Sequence, residues 1–92
     1  MPYITADRRG ELAAALEPIL TEIKERVGAT GDLNYIITKV CLAFLDGKRS
    51  YALYNEVVGV LECAKLELYA RLVRPYEQEK ITANGDVYPA RP

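Results

Sequence analysis

Hydrophobic positions along this chain recur every three or four residues, which is the spacing of one face of an α-helix. Three segments carry this pattern, and the strict alternation typical of strands is almost absent. Short turns join the segments, which favours antiparallel neighbours. The sequence therefore predicts an all-α fold: a small three-helix bundle or helical hairpin with a long, kinked C-terminal helix and an extended C-terminal tail.

The first predicted helix spans residues 5–27, with Thr5 or Asp7 as its N-cap. Pro18 lies inside it, where a proline ring removes an amide donor and clashes with the preceding turn. We expect a bend or break near Glu17, with the apolar stripe continuing across it. The stripe consists of Leu12, Leu16, Ile19, Leu20, Ile23 and Val27.

The second predicted helix runs from about Asp32 to Asp46. Gly28 closes the helix before it, Thr30 or Asp32 caps its start, and Gly47 ends it. Its apolar residues form a broad face suited to the centre of a bundle. That face consists of Leu33, Ile36, Ile37, Val40, Cys41, Phe44 and Leu45.

The third predicted helix begins at Ser50 or Asn55 and continues to about Lys80. Pro75 predicts a kink at Arg74. Together the three helices make one predicted helical domain, residues 1–80.

The final segment, residues 81–92, contains an Asn-Gly turn and two prolines that stop regular structure. It is predicted to be an extended tail that either docks through Val87 and Tyr88 or hangs free.

The third helix has two apolar stripes, whereas a helix in a monomeric bundle needs one. Its outer stripe is rich in small residues, and a glycine inside a helix costs roughly 0.5–1 kcal/mol relative to alanine. Self-association would account for both features, with two copies crossing at Gly59 and Cys63. The alternative is that the N-terminal arm or the C-terminal tail of the same chain covers this stripe. The predicted oligomer interface consists of Gly59, Cys63, Leu66, Ala70 and Val73.

Composition narrows the classes of function. The 92 residues carry a net charge of −1, so no global positive field exists to bind duplex nucleic acid. No apolar run is long enough for a membrane span and no secretory signal is apparent, so we expect a cytoplasmic protein. Histidine is absent, and Cys41 and Cys63 fall at apolar helical positions that predict buried structural thiols. We therefore expect no metal and no cofactor.

One candidate ligand site precedes the third helix. Lys48, Arg49, the Ser50 hydroxyl and free amides could converge on a phosphate or carboxylate beside Tyr54. Alternatively, the two cations are solvated and favour the C-terminal end of the second helix.

A second candidate site contains Tyr69, Arg71, Arg74 and Tyr76. In an oligomer these groups could form a composite pocket, with arginine holding phosphate and tyrosine stacking on a base. A solvated helix end is the alternative.

Carboxylates on the third helix raise an enzyme alternative. Glu56, Glu62 and Glu67 could hold magnesium, as in all-helical nucleotide pyrophosphohydrolases. However, only Glu56 and Glu67 share a face, and these three carboxylates lack the paired ExxE spacing. We expect no catalytic residue.

Five segments of the chain resemble a small family of uncharacterised bacterial and phage proteins, a domain of unknown function. The resemblance covers most of the chain and implies a compact, stand-alone intracellular protein, with no activity attached. The segments are Gly31–Tyr35, Asn55–Glu62, Lys65–Tyr69, Pro75–Glu77 and Asn84–Tyr88.

The leading hypothesis is a non-enzymatic helical binding protein that forms a homo-oligomer, a dimer or larger, through its third helix. Its ligand would be a nucleotide-like or other anionic molecule, or its partner a host protein. The alternatives are the metal-dependent nucleotide enzyme and an adaptor or structural protein without a small ligand.

Overall fold

The structure, a computed structural model, describes residues 2–90. It is 80% helical, and the described residues form three helices and no strands. The last helix is a joined, bent one, so the predicted all-α class with a long, kinked third helix is confirmed. The helical segments are α1 (Ala6–Arg26), α2 (Thr30–Leu45), α3 (Tyr51–Leu68), a π-helical turn (Tyr69–Val73) and α4 (Arg74–Asn84), of which the last three form the joined helix.

Helix α1 begins at one of the two predicted caps. The amide of Arg8 donates a hydrogen bond of 3.2 Å to Thr5 Oγ1, which satisfies one of the free amides of the first turn. The helix continues through Pro18 to Arg26. It therefore does not break near Glu17, although the proline leaves one carbonyl of the preceding turn without its α-helical donor.

Helix α2 starts two residues earlier than the sequence predicts. Ala29 is its N-cap residue and makes no side-chain cap hydrogen bond, so neither Thr30 nor Asp32 caps it. Asp32 instead lies in the first turn, where a negative charge is favourable. At the other end Asp46 has a positive φ of 49°, a left-handed conformation that ends the helix just before Gly47.

The joined helix begins after Ser50, whose hydroxyl oxygen accepts a 3.2 Å hydrogen bond from the Leu53 amide. It passes through the π-helical turn, which ends two residues before Pro75. Arg74 keeps a right-handed helical backbone although the residue before a proline usually avoids it. Helix α4 then continues past Lys80 to Asn84 and ends at Gly85, which has a φ of 91°.

The tail that the sequence assigns to residues 81–92 is helical at its start and irregular from Gly85 to residue 90. Residues 91 and 92 lie outside the described part. The amide of Tyr88 donates to Asp86 Oδ1 at 2.9 Å, which is an Asx turn. The side chain of Val87 is 91% exposed and that of Tyr88 is 80% exposed.

The chain divides into two units with a boundary inside α3. The first unit ends at Val57 and contains α1, α2 and the start of α3; the second begins at Val58 and contains the rest of the joined helix and the tail. No described helix is both long and apolar enough to cross a lipid bilayer.

Burial in this structure is slight. Among residues 2–90 no side chain is fully buried, and neither unit taken by itself encloses a core. Apolar side chains of the first unit are at best half-buried, and the apolar faces of α1, α2 and α3 remain largely exposed. The half-buried apolar residues of that unit are Ile23, Val27, Ile36, Cys41, Leu45, Leu53 and Val57.

Candidate functional site

The outer face of α3, defined by Gly59, Cys63, Leu66, Ala70 and Val73, lies in the second unit. The first four of these residues are exposed, and Leu66 leaves 56% of its surface in contact with solvent. A Cβ atom added at Gly59 would meet nothing within 4 Å. Within the second unit, the centre of this face is therefore open.

Cys63 differs from its sequence prediction. It is an exposed free thiol rather than a buried one, because it lies on this open face. Cys41, also a free thiol, is half-buried on α2.

The π-helical turn changes which side chains continue the outer face. The amide of Arg74 donates to the carbonyl of Tyr69, five residues earlier, where an α-helix would use the residue four earlier. The turn therefore holds one additional residue, and side chains beyond it are rotated relative to regular helical spacing. Val73, at the end of the turn, is half-buried, unlike the other members of the face.

The four residues of the first candidate ligand site do not form a common site. Ser50 caps the helix, and the two cations point into solvent. The Ser50 hydroxyl is the cap of α3, and the Tyr54 amide donates to the Ser50 carbonyl at 2.9 Å. Lys48 and Arg49 are exposed and form no ion pair among the described residues. No described contact joins these four side chains around a common point.

The second predicted group is more organised. The Arg74 guanidinium lies 5.8 Å from the centroid of the Tyr69 ring, and the Lys80 ammonium lies 5.4 Å from that of Tyr76. Both distances are within the range of cation–π attraction. Arg71 Nε lies 3.7 Å from Glu67 Oε2, so this arginine is paired along the helix.

A cleft of about 640 Å³ lies beside these residues, entirely within the second unit. Of the predicted ligand-binding residues, Tyr69 and Arg74 line it, whereas Arg71 and Tyr76 do not. Its walls combine two tyrosine rings, two cations and two carboxylates. The lining residues are Tyr69, Arg74, Glu77, Gln78, Lys80, Ile81, Asn84, Gly85, Asp86, Val87 and Tyr88.

The tail contributes a part of this cleft that the predicted ligand site does not include. Asp86 and Tyr88 line it although they lie outside the predicted helical domain. The signal in the sequence is the Asn-Gly pair at residues 84–85: the positive φ of Gly85 ends α4 there and redirects the backbone.

The carboxylates of α3 are arranged mainly as helix-surface ion pairs. Glu62 Oε1 lies 3.0 Å from Lys65 Nζ, and Glu67 pairs with Arg71. Within residues 2–90 no group of three or more acidic, cysteine or histidine side chains is placed to hold a metal ion.

Comparison with known proteins gives a family and no activity. No curated protein and no solved structure matches the chain. A family model does match residues 1–87, which is nearly the whole sequence. The chain therefore belongs to the family described as a domain of unknown function, DUF6899.

Proposed function

We propose that this protein is a non-enzymatic binding protein whose working form is a homo-oligomer, held together by the outer face of α3. The observation that carries the proposal is the open space over Gly59 on a face that also exposes Leu66. A glycine permits close helix approach, and its cost of about 0.5–1 kcal/mol is offset only if a neighbour occupies that space.

The hydrophobic effect supports a second copy as that neighbour. A large apolar side chain that leaves water contributes about 1.5–3 kcal/mol. In a symmetric dimer each such residue is buried twice, because both copies present the same face. The burial of Leu66 therefore stabilises the dimer once in each copy. The small residues beside it allow the two helix backbones to approach closely.

Two substitutions at Gly59 test this interface. Alanine and leucine both have a higher helix propensity than glycine. Alanine adds only one methyl group, whereas leucine adds a bulky side chain that holds two helices apart. We expect Gly59→Leu to lower the mass measured by light scattering while far-UV circular dichroism shows retained helicity. Gly59→Ala is the matched control and keeps the larger mass. An unchanged mass for Gly59→Leu, or a wild-type mass of 10.3 kDa, contradicts the proposal.

The C-terminal cleft supports a ligand-binding role for the oligomer. Its volume of about 640 Å³ is typical of small-molecule pockets. Tyr69 offers a ring for stacking and Arg74 a planar cation for phosphate. Asp86 and Glu77 can accept hydrogen bonds from hydroxyl or amino groups, which suits a nucleotide better than a simple anion.

A thermal-shift panel of mono-, di- and cyclic nucleotides, with and without magnesium, separates the alternatives. Binding raises the unfolding temperature without turnover. Release of pyrophosphate only with magnesium would instead support the enzyme alternative with Glu56, Glu62 or Glu67. No shift across the panel would favour a host protein partner or a structural role.

Bacterial or phage origin and a cytoplasmic location stay predictions.

A further inference from the structure

Asn84 and Gly85 lie where α4 ends and the tail begins. Gly85 has a φ of 91° and a ψ of 152°, a backbone conformation that is essentially restricted to glycine. A Cβ atom added at Gly85 would meet nothing within 4 Å, so the backbone angles, and not a lack of space, require a glycine here. The way in which α4 ends therefore places a glycine directly after an asparagine.

An asparagine followed by glycine can react with its own backbone. The amide nitrogen of Gly85 attacks Cγ of the Asn84 side chain, the new N–C bond closes a succinimide ring, and the side-chain nitrogen leaves as ammonia. Water then opens the ring at one of its two carbonyls, which leaves either aspartate or isoaspartate at position 84. A side chain on the second residue hinders the attack, and glycine has none.

The folded chain slows this reaction but does not prevent it. The Gly85 amide donates a hydrogen bond of 2.8 Å to the Ile81 carbonyl, and this amide must lose its proton before its nitrogen can attack. The hydrogen bond belongs to the last turn of α4, however, and helix ends fray at little cost in free energy. Asn84 and Gly85 are both exposed, so water reaches them as soon as the turn opens.

The other asparagines of the chain lie in a different setting. Asn34 is inside α2 and is followed by Tyr35, whereas Asn55 is inside α3 and is followed by Glu56. In both cases helical backbone continues on each side, and the next residue has a large side chain that hinders attack on the asparagine. These two residues are therefore internal controls for the chemistry at Asn84.

We propose that Asn84 is a site of spontaneous deamidation in the folded protein, with water as the sole co-reactant. This inference goes beyond the proposed function, because it requires neither a ligand nor a second copy of the chain. The product adds a negative charge to a cleft wall that already carries Glu77 and Asp86, which makes the cleft less favourable for an anion. In the isoaspartate form the main chain also runs through Cβ and Cγ of residue 84, which displaces the tail.

Peptide mapping of the folded wild-type protein at mildly alkaline pH tests the proposal. Trypsin places each of the asparagines on a separate peptide, and mass spectrometry measures the conversion of each amide to an acid with time. We expect Asn84 to react roughly tenfold faster than Asn34 or Asn55, because a helix end opens more readily than a helix interior. An equal rate at Asn84 and at either of the other two overturns the proposal.

Two further measurements show where and from which state the reaction proceeds. Asn84→Gln keeps an amide but lengthens the side chain, so the succinimide ring cannot form; conversion that persists on this peptide contradicts a reaction at Asn84. The rate in guanidinium-unfolded protein, multiplied by the unfolded fraction under folding conditions, gives the contribution of global unfolding. We expect the folded protein to react faster than this product, and a rate equal to it overturns a reaction through local fraying.

Discussion

The Arg74 guanidinium lies over the ring of Tyr69, five residues earlier, with 5.8 Å between the guanidinium carbon and the ring centroid. In a regular α-helix, residues five apart point in different directions, because neighbours on one face are three or four apart. The π-helical turn between the two residues adds one residue to the turn and brings their side chains together. The aromatic and cationic side of the C-terminal cleft is thus built by this turn.

Removal of the Arg74 cation should weaken binding of a nucleotide in the cleft. A hydrogen bond to a charged group contributes about 1.5–3 kcal/mol, so Arg74→Ala should raise the dissociation constant roughly 10- to 100-fold. Isothermal titration calorimetry measures this directly. Arg26→Ala, which makes the same charge change at the end of α1 and outside the cleft, is the control. An equal loss of nucleotide affinity in both variants would contradict a site at Arg74, because it would show that the affinity depends only on the net charge of the protein.

Pro75 is the expected cause of the π-helical turn. Pro75→Ala restores an amide donor and removes the ring clash, so residues 69–73 should return to α-helical hydrogen bonding. Tyr69 and Arg74 would then separate. We expect the free energy of unfolding to rise by about 1–3 kcal/mol, while the nucleotide-induced thermal shift becomes smaller. NMR chemical shifts that still report a π-helical turn in this variant would show that Pro75 is not its cause.

Pro18 should limit the stability of α1, since it occupies the interior of a continuous helix. Pro18→Ala should raise the free energy of unfolding by up to about 3 kcal/mol in urea titrations at a fixed protein concentration. Pro2→Ala, a change outside the helix, should have little effect. Destabilisation by Pro18→Ala would indicate that the proline makes a contact in the assembly.

The Ser50 hydroxyl should stabilise the start of α3. Ser50→Ala removes the acceptor for the Leu53 amide and should cost about 1 kcal/mol. Ser50→Asp keeps an oxygen at the cap and adds a charge that suits the helix N-terminus, so it should match or exceed the wild type. Amide hydrogen exchange at Leu53 reports the change locally. Equal exchange in the alanine variant would contradict a capping role.

Local chemistry made most of the fold predictable. Thr5 and Ser50 are good caps whose partners lie three residues away, so the starts of α1 and α3 follow from the sequence. Helix α2 begins at Thr30 because Ala29 takes the cap position without a side-chain bond, which no propensity indicates. Pro75 signalled a kink, but not that a wider turn would absorb it.

The candidate sites were less predictable, because they depend on what remains exposed. The sequence shows that Gly59 lies on an apolar stripe, and only the structure shows the open space beside it. Likewise Val40 and Phe44 of α2 resemble bundle core in the sequence, yet they are mostly exposed. Periodicity identifies an apolar face, but it does not distinguish a face covered by the same chain from one covered by a partner.

Sedimentation equilibrium of the wild-type protein over a wide concentration range tests self-association most directly. The account predicts an average mass that is a multiple of 10.3 kDa at micromolar concentration and falls on dilution. Helicity should decline over the same dilution, because the exposed apolar face of α3 loses its partner. A constant mass of 10.3 kDa with full helicity at every concentration would contradict it.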